Sequence, residues 1–407
     1  MKNVIKWVCA FLVAIALIAA TAFVSFKAAY RSFKDETFIA QNNKISFDEE
    51  KVDEYLLAKF KDVKKRIESD FLLEYEENAL VEGAIKGMVD KLGDSDTKYY
   101  NAQQLKERNE QLQGEYIGTG MDISIQNTEY ILIGSVKNDT PAAYAGLKAG
   151  DKIIKIDNKK LSEYKESEIW TAFGEENRKI ALSVLRGEES LEVDIIVSSI
   201  VEQSVFSEML DTKTGYLRIA MFDAKTATEF ETEINGLLTK GMQRLVLDLR
   251  DNSGGLASEM SRVADSILAD GMEIYYEVDK SGEKKQVKFS DAKALNIPIV
   301  VLINGHTASV AEVFVSALRD NGIAKLVGTT SSGKAVSQVV VPYEDGTGLV
   351  ITVVQFFTKS KYDIQGNGLI PDVVIEPTSE YKNANVQYIP KENDIQLEKA
   401  IEVLING

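Results

Sequence analysis

The chain has 407 residues, too many for one ordinary domain, and its 44% hydrophobic fraction is enough to build buried cores. Its formal net charge of −16, with no cluster of Lys and Arg, argues against nucleic acid as a partner. With one cysteine, Cys9, inside the first hydrophobic segment, and one histidine, His306, intrachain disulfides and Cys-rich or two-histidine metal sites are excluded, and so is a cysteine protease, because the globular part has no thiol; an all-carboxylate cation site is not excluded, but no cofactor or metal is called for.

In chain order, Trp7 to Phe26 is uncharged and mostly apolar, long enough to span a bilayer as a helix. Small residues at Ala20 to Ala22 offer a cleaved signal peptide as the alternative. The long run favours a retained single-pass anchor in residues 1–30 and a cell-membrane location. Long domains translocate largely regardless of flanking charge, so the bulk is expected outside the cytoplasm. Residues 31–112 read as helical and charged. Leu80, Ile85, Met88, Val89 and Leu92 fall at helical spacing, and "LGDSDTKYY" breaks the helix.

From 113 to 199 the pattern becomes β-rich. "EYIGTGMDISI" and "EYILIGSV" alternate like strands. Asp139 or Thr140 can cap a short helix led by Pro141, and "SEIWTAFG" is a second short helix. "KIALSVLRG" and "LEVDIIVS" look like a hairpin.

From 200 to 380 strands alternate with helices. "RLVLDLR" leads through "DNSGG" into a helix, and "IPIVVLING" leads through "HTA" into "SVAEVFVSALRDNG". Near-continuous apolar strands followed by glycine turns and amphipathic helices predict an α/β domain with a helix-covered parallel sheet. Residues 381–407 close the chain with a helix.

Ligands bind at the carboxyl ends of the strands of such sheets. "DNSGG" and "GHTAS" both leave strands there and could face one cleft. Ser309 has two readings. With Glu312 it fits a capping box at a helix start. As a nucleophile, its hydroxyl lies where free amides favour developing negative charge, with the Val310 amide and that of Gly254 or Gly255 as oxyanion donors. His306 is the nearest base in sequence, but no carboxylate partner suggests itself. Lys334 is the only charged residue between Val327 and Tyr343. Without a carboxylate, apolar surroundings disfavour its ammonium and leave an amine able to take the serine proton; the alternative is a lysine that only snorkels from a strand edge. In a helical turn Gln338 could orient that amine; in extended chain the two stand roughly 13 Å apart and it could not.

Seven motifs in order, "LVEGAIKGMVDKLGDSDTKYY", "YIGTGM", "TPAAYAGLKAGDKIIKID", "LVLDLRDNSGG", "VVLINGHTASVAEV", "SSGKAVSQ" and "GLIPDVV", make the chain resemble the carboxyl-terminal processing peptidases, S41-type Ser-Lys proteases with a PDZ domain. The resemblance implies a ClpP/crotonase-like protease domain with an inserted PDZ domain. It maps the nucleophile to Ser309, the base to Lys334, the assisting glutamine to Gln338, and the oxyanion amides to Gly254 and Val310. The chain departs from the family's usual pattern at His306-Thr307 and at Ser332 to Ala335, which could alter the cleft's shape. In the PDZ domain, Tyr116, Ile117, Gly118, Thr119, Gly120 and Met121 would bind a peptide or protein C-terminus by strand addition. Ile117, Met121, Ile169 and Phe173 would form its side-chain pocket, and Arg186 would contact the protease domain and couple binding to activity. The PDZ domain would block the cleft until a ligand binds. A homo-oligomer is compatible with this reading. The alternatives are a Ser-His enzyme using His306 and a catalytically inactive PDZ scaffold.

Overall fold

The computed structural model describes residues 54–406 except 126–128, 292–293 and 383. The apolar segment Trp7 to Phe26 lies outside the described residues. Among those described, no helix is long and apolar enough to cross a membrane. The chain divides into two compact units, one through Ala79 and one from Leu80 onward.

The first unit contains α1 (Glu54–Asp70), with Lys64–Glu68 and Asp62–Arg66 pairs one turn apart on its surface. Helix α2 (Glu77–Asp90) follows. Its helical period is real, but only Val89 of the expected apolar stripe is fully buried; Met88, and Leu92 beyond the helix end, are exposed.

In the second unit, β1 (Lys98–Tyr100) leads to α3 (Ala102–Gln113), which Asn101 and Gln104 cap reciprocally. Strands β2 (Glu115–Gly118), β3 (Met121–Ile125) and β4 (Ile131–Val136) begin the β-rich module. Helix α4 (Pro141–Tyr144) starts at Thr140, whose hydroxyl, and not Asp139, accepts the capping N–H from Ala143. Then come β5 (Lys152–Ile156), short β6 (Lys159–Lys160), α5 (Glu166–Gly174), β7 (Lys179–Arg186) and β8 (Glu189–Ile196). The antiparallel sheet β3-β4-β5-β7-β8 wraps a core of Ile131, Ile133, Ile153, Leu182 and Val184. Strand β9 (Ser198–Val201) returns antiparallel to β2, so the module leaves the chain where it entered.

The larger domain runs β10 (Val205–Met209), β11 (Thr214–Ile219), α6 (Thr226–Thr239), β12 (Arg244–Asp248), α7 (Ala257–Asp265), β13 (Glu273–Asp279), β14 (Lys284–Phe289), β15 (Ile299–Ile303), α8 (Val310–Asp320), β16 (Ala324–Gly328), β17 (Val336–Pro342), β18 (Gly348–Phe357), β19 (Val373–Val374) and α9 (Ile395–Asn406). One sheet has the order β10-β11-β12-β15-β16-β19 and is parallel from β11 to β19. Its alternate side chains serve two cores. Leu245, Leu247, Val301 and Ile303 pack with α6, α7 and α8, while Val246, Val300 and Leu302 pack with Leu397, Ala400 and Leu404 of α9. Both faces are dry, which is why these strands read as unbroken apolar runs. A second sheet, β1-β18-β13-β14 with β17 on β18, is joined to the carboxyl edge of the first by the β16–β17 loop.

Candidate active site

The turns after β12 and β15 are stitched together at that edge. Asn304 Nδ2 donates to Asp251 Oδ1 (2.8 Å), the Ala308 N–H to the Asn252 carbonyl (2.9 Å), and the Thr307 hydroxyl to the Leu249 carbonyl (2.8 Å). They face one site, as their places in the sequence suggest.

Ser309 sits at the head of α8, 9% exposed, with φ +60° and ψ −131°. A positive φ costs a non-glycine residue about 1–3 kcal/mol and survives where the surroundings fix it. The capping box forms by one half only: the Glu312 carboxylate accepts the Ser309 N–H (3.2 Å). The Ser309 hydroxyl caps no helix amide and remains available for chemistry. Next to it, Gly254 has φ +106°, and a Cβ there would stand 2.8 Å from Ser309 Cβ and 3.1 Å from the Ala308 carbonyl. Only glycine lets this turn approach the serine. The Val310 N–H, at the first position of α8, has no acceptor among the described residues. The Gly254 N–H is engaged by Asn252 Oδ1 (2.8 Å), whereas that of Gly255 makes no such bond.

Lys334 lies in the β16–β17 loop. The expectation that it lacks a carboxylate is overturned: its Nζ pairs with Asp96 Oδ1 at 2.6 Å, the lysine side chain being 29% exposed. Asp96 belongs to the loop before β1, fixed by Thr97, whose hydroxyl donates to Asp94 and accepts the Thr352 N–H of β18. Gln338 is on β17 opposite Thr352, not in a helical turn, because this segment pairs with β18 around a bulge. Its amide reaches Thr352 Oγ1 (3.4 Å), and no hydrogen bond joins it to Lys334. His306 does have a carboxylate partner, Asp251 (3.0 Å), but its side chain is 78% exposed and makes no bond to Ser309.

Glu312 joins the two candidate catalytic segments. Fully buried, it accepts from the Ser309 N–H on one side, and from the Ser331 hydroxyl (2.5 Å) and the Gly333 and Lys334 N–H groups (2.8 Å each) on the other. Burial raises its carboxyl above the usual range against the pull of those bonds.

In the β-rich module a cavity of about 1000 Å³ is lined by Tyr116, Ile117, Gly118, Thr119 and Met121 on one side and by Trp170 and Phe173 of α5 on another. Ile169 is not part of it; its side chain is in the module's core. Gly120 (φ +85°) turns the chain where a Cβ would meet the Thr140 hydroxyl at 2.2 Å. The Arg186 guanidinium forks onto Asp151 (2.8 and 2.7 Å) and the Gly146 carbonyl (2.8 Å), so its hydrogen bonds stay within the module. Arg186 holds the Asp151 carboxyl below its ordinary range.

Three family models match the sequence: the peptidase family S41 over residues 213–375, the PDZ domain over 115–197, and the N-terminal domain of the activating protease CtpB over 15–104. The carboxy-terminal-processing protease of Bartonella bacilliformis is 34% identical over 331 residues, 79% of this chain and 75% of that one. The carboxy-terminal processing protease CtpA of Bacillus subtilis is 31% identical, over 77% of this chain and 67% of its own. The chain belongs to the carboxy-terminal processing serine proteases of family S41. A solved S41 protease from Bacteroides fragilis shares the fold, with a TM-score of 0.51 at 18% identity over 83% of this chain and 92% of that one.

The protease domain thus holds Ser309, Gly254 and Val310 in one place, with Lys334 tethered nearby through Glu312. Asp96 carries no local sequence pattern that points to this site, since it is a loop residue far upstream. Nor does the wall that α3 adds to the PDZ cavity through Lys106, Glu107 and Glu110; the polar face of that helix reads simply as solvated.

Proposed function

We propose that this protease is a membrane-anchored, extracytoplasmic endopeptidase that captures protein substrates by their C-termini. The observation that carries the reading is the uncapped hydroxyl of Ser309, held at a strained helix start beside Gly254 and the unengaged Val310 N–H. Ser309 Oγ attacks the peptide carbonyl while neutral Lys334 takes its proton. The Val310 amide stabilises the oxyanion together with the Gly254 amide once that N–H leaves Asn252 Oδ1, and Lys334 returns the proton to the leaving amine. Water then hydrolyses the acyl-enzyme by the same route.

Lys334 cannot serve as a base while it is ion-paired with Asp96, so the described arrangement is a resting one. In the active arrangement Lys334 leaves Asp96 and Gln338 orients the amine, the task the family resemblance gives it. The apolar run Trp7 to Phe26 supplies the anchor, and Tyr116 to Met121 with the adjoining cavity receive the C-terminus. The same Asp96 contact, if permanent, favours the second reading of an inactive PDZ scaffold.

Cleavage of an unfolded protein by the full chain decides between them. Wild type and His306→Ala should cut and Ser309→Ala should not. No cutting by wild type under any peptide load supports the scaffold, and loss of cutting in His306→Ala restores the Ser-His alternative.

A further inference from the structure

We propose that Lys137 binds the terminal carboxylate of a peptide in the PDZ cavity, and that Glu202 occupies its place in the ligand-free protein. This rests on the reading that the cavity takes C-termini.

The loop between β2 and β3 is built to offer donors. The Thr119 and Gly120 carbonyls are already taken, by the Ala142 and Lys137 N–H groups at 2.9 Å each. The Thr119 and Gly120 N–H groups donate to no acceptor among the described residues. Two adjacent unengaged amides suit a carboxylate but do not neutralise it.

The surrounding walls are acidic: Glu107, Glu110, Glu115, Glu175 and Glu202 all line the cavity. Its cations are Lys106 and Lys137, and Lys106 pairs with Glu110 on its own helix (3.5 Å). Lys137 is the one attached to the loop itself. Its backbone N–H bonds the loop at Gly120, and its ammonium lies 4.8 Å from the centre of the Tyr116 ring. At present Glu202 holds that ammonium.

The exchange is physically cheap. The Lys137 and Glu202 side chains are 50% and 38% exposed, and an ion pair so exposed contributes little. A ligand carboxylate replaces Glu202 charge for charge and adds the two amide bonds, which Glu202 does not make. Glu202 follows β9, where the chain returns from the PDZ domain to the protease domain, and its N–H bonds the Gly114 carbonyl at the opposite entry point (2.9 Å). Occupancy of the cavity is thereby converted into a freed carboxylate at the junction of the two domains.

The test uses the full chain carrying Ser309→Ala, so that probes are not cut. Fluorescence anisotropy measures a labelled peptide ending in Ala-Ile-Val as the free acid and as the C-terminal amide. The parent should prefer the acid about tenfold. Lys137→Met should remove most of that preference and leave the amide form's affinity in place. Glu202→Gln should tighten the acid form roughly threefold and leave the amide form unchanged. A full acid preference in Lys137→Met, or weaker acid binding in Glu202→Gln, overturns the proposal. If Lys137→Met also loses the amide form, Lys137→Arg decides: restored acid preference supports the assignment and its absence refutes it. If the parent binds neither peptide, the capture reading itself falls, an outcome distinct from a preference that survives without Lys137.

Discussion

Ser309 occupies a backbone conformation that a serine reaches only at a cost, and what holds it there is one buried carboxylate. Glu312 accepts from the Ser309 N–H and from three donors of the loop carrying Lys334. An amide in its place presents N–H groups to at least one of those donors, at about 1–3 kcal/mol for each buried group left unpaired. Glu312→Gln is thus expected to lower Tm and to cut kcat more than tenfold with KM little changed, checked by steady-state kinetics beside thermal denaturation. Asp96 acts in the opposite sense. Its pairing with Lys334 stabilises the resting arrangement by an amount typical of part-exposed pairs, so Asp96→Asn should raise basal kcat/KM roughly two- to fivefold. A fall in activity would instead make Asp96 a required partner of the lysine.

At the scale of elements, the strand-turn-helix units were legible because burial on both sheet faces writes itself as unbroken apolar runs, and glycines mark the turns that approach Ser309. Three things were not. "GKAVSQ" fits a helical turn or a strand equally well; pairing of β17 with β18, a long-range choice, made it a strand and separated Gln338 from Lys334. Asp96 meets Lys334 only through tertiary structure. Ile169 has the same apolar character as its neighbours, and only the packing of α5 turns it into the core. The PDZ domain yields a pH prediction. Arg186 lowers the folded-state titration of Asp151, so their contribution to stability is present above the ordinary aspartate value of about 3.9 and is lost as pH falls below it. Arg186→Met should therefore lower the PDZ domain's Tm at neutral pH, and the gap to wild type should close on acidification. A gap independent of pH would assign the loss to packing.

Across the whole molecule, one buried cluster ties the turn carrying Gly254 to the end of the chain. The Arg250 guanidinium bridges Asp248 (2.6 Å) and Asp394 (2.7 Å), the latter also accepting the Leu397 N–H at the start of α9. Arg250 is held firmly protonated by these carboxylates against its burial. Removing one partner of a buried pair is strongly destabilising, so Asp394→Ala should cost about 3 kcal/mol in urea unfolding and loosen α9 from the sheet. An unchanged midpoint would show that the packing of Leu397, Ala400 and Leu404 suffices.

The central claim is that Lys334 gives up its pairing with Asp96 and handles the Ser309 proton. The most direct measurement is turnover of an unfolded protein by wild type, Lys334→Ala and Lys334→Arg, each matched for Tm. Arginine can keep an ion pair with Asp96 but cannot act as a base. Both variants should lose on the order of 10²–10⁴-fold in kcat, arginine no less than alanine. Wild-type turnover in Lys334→Arg would contradict the account.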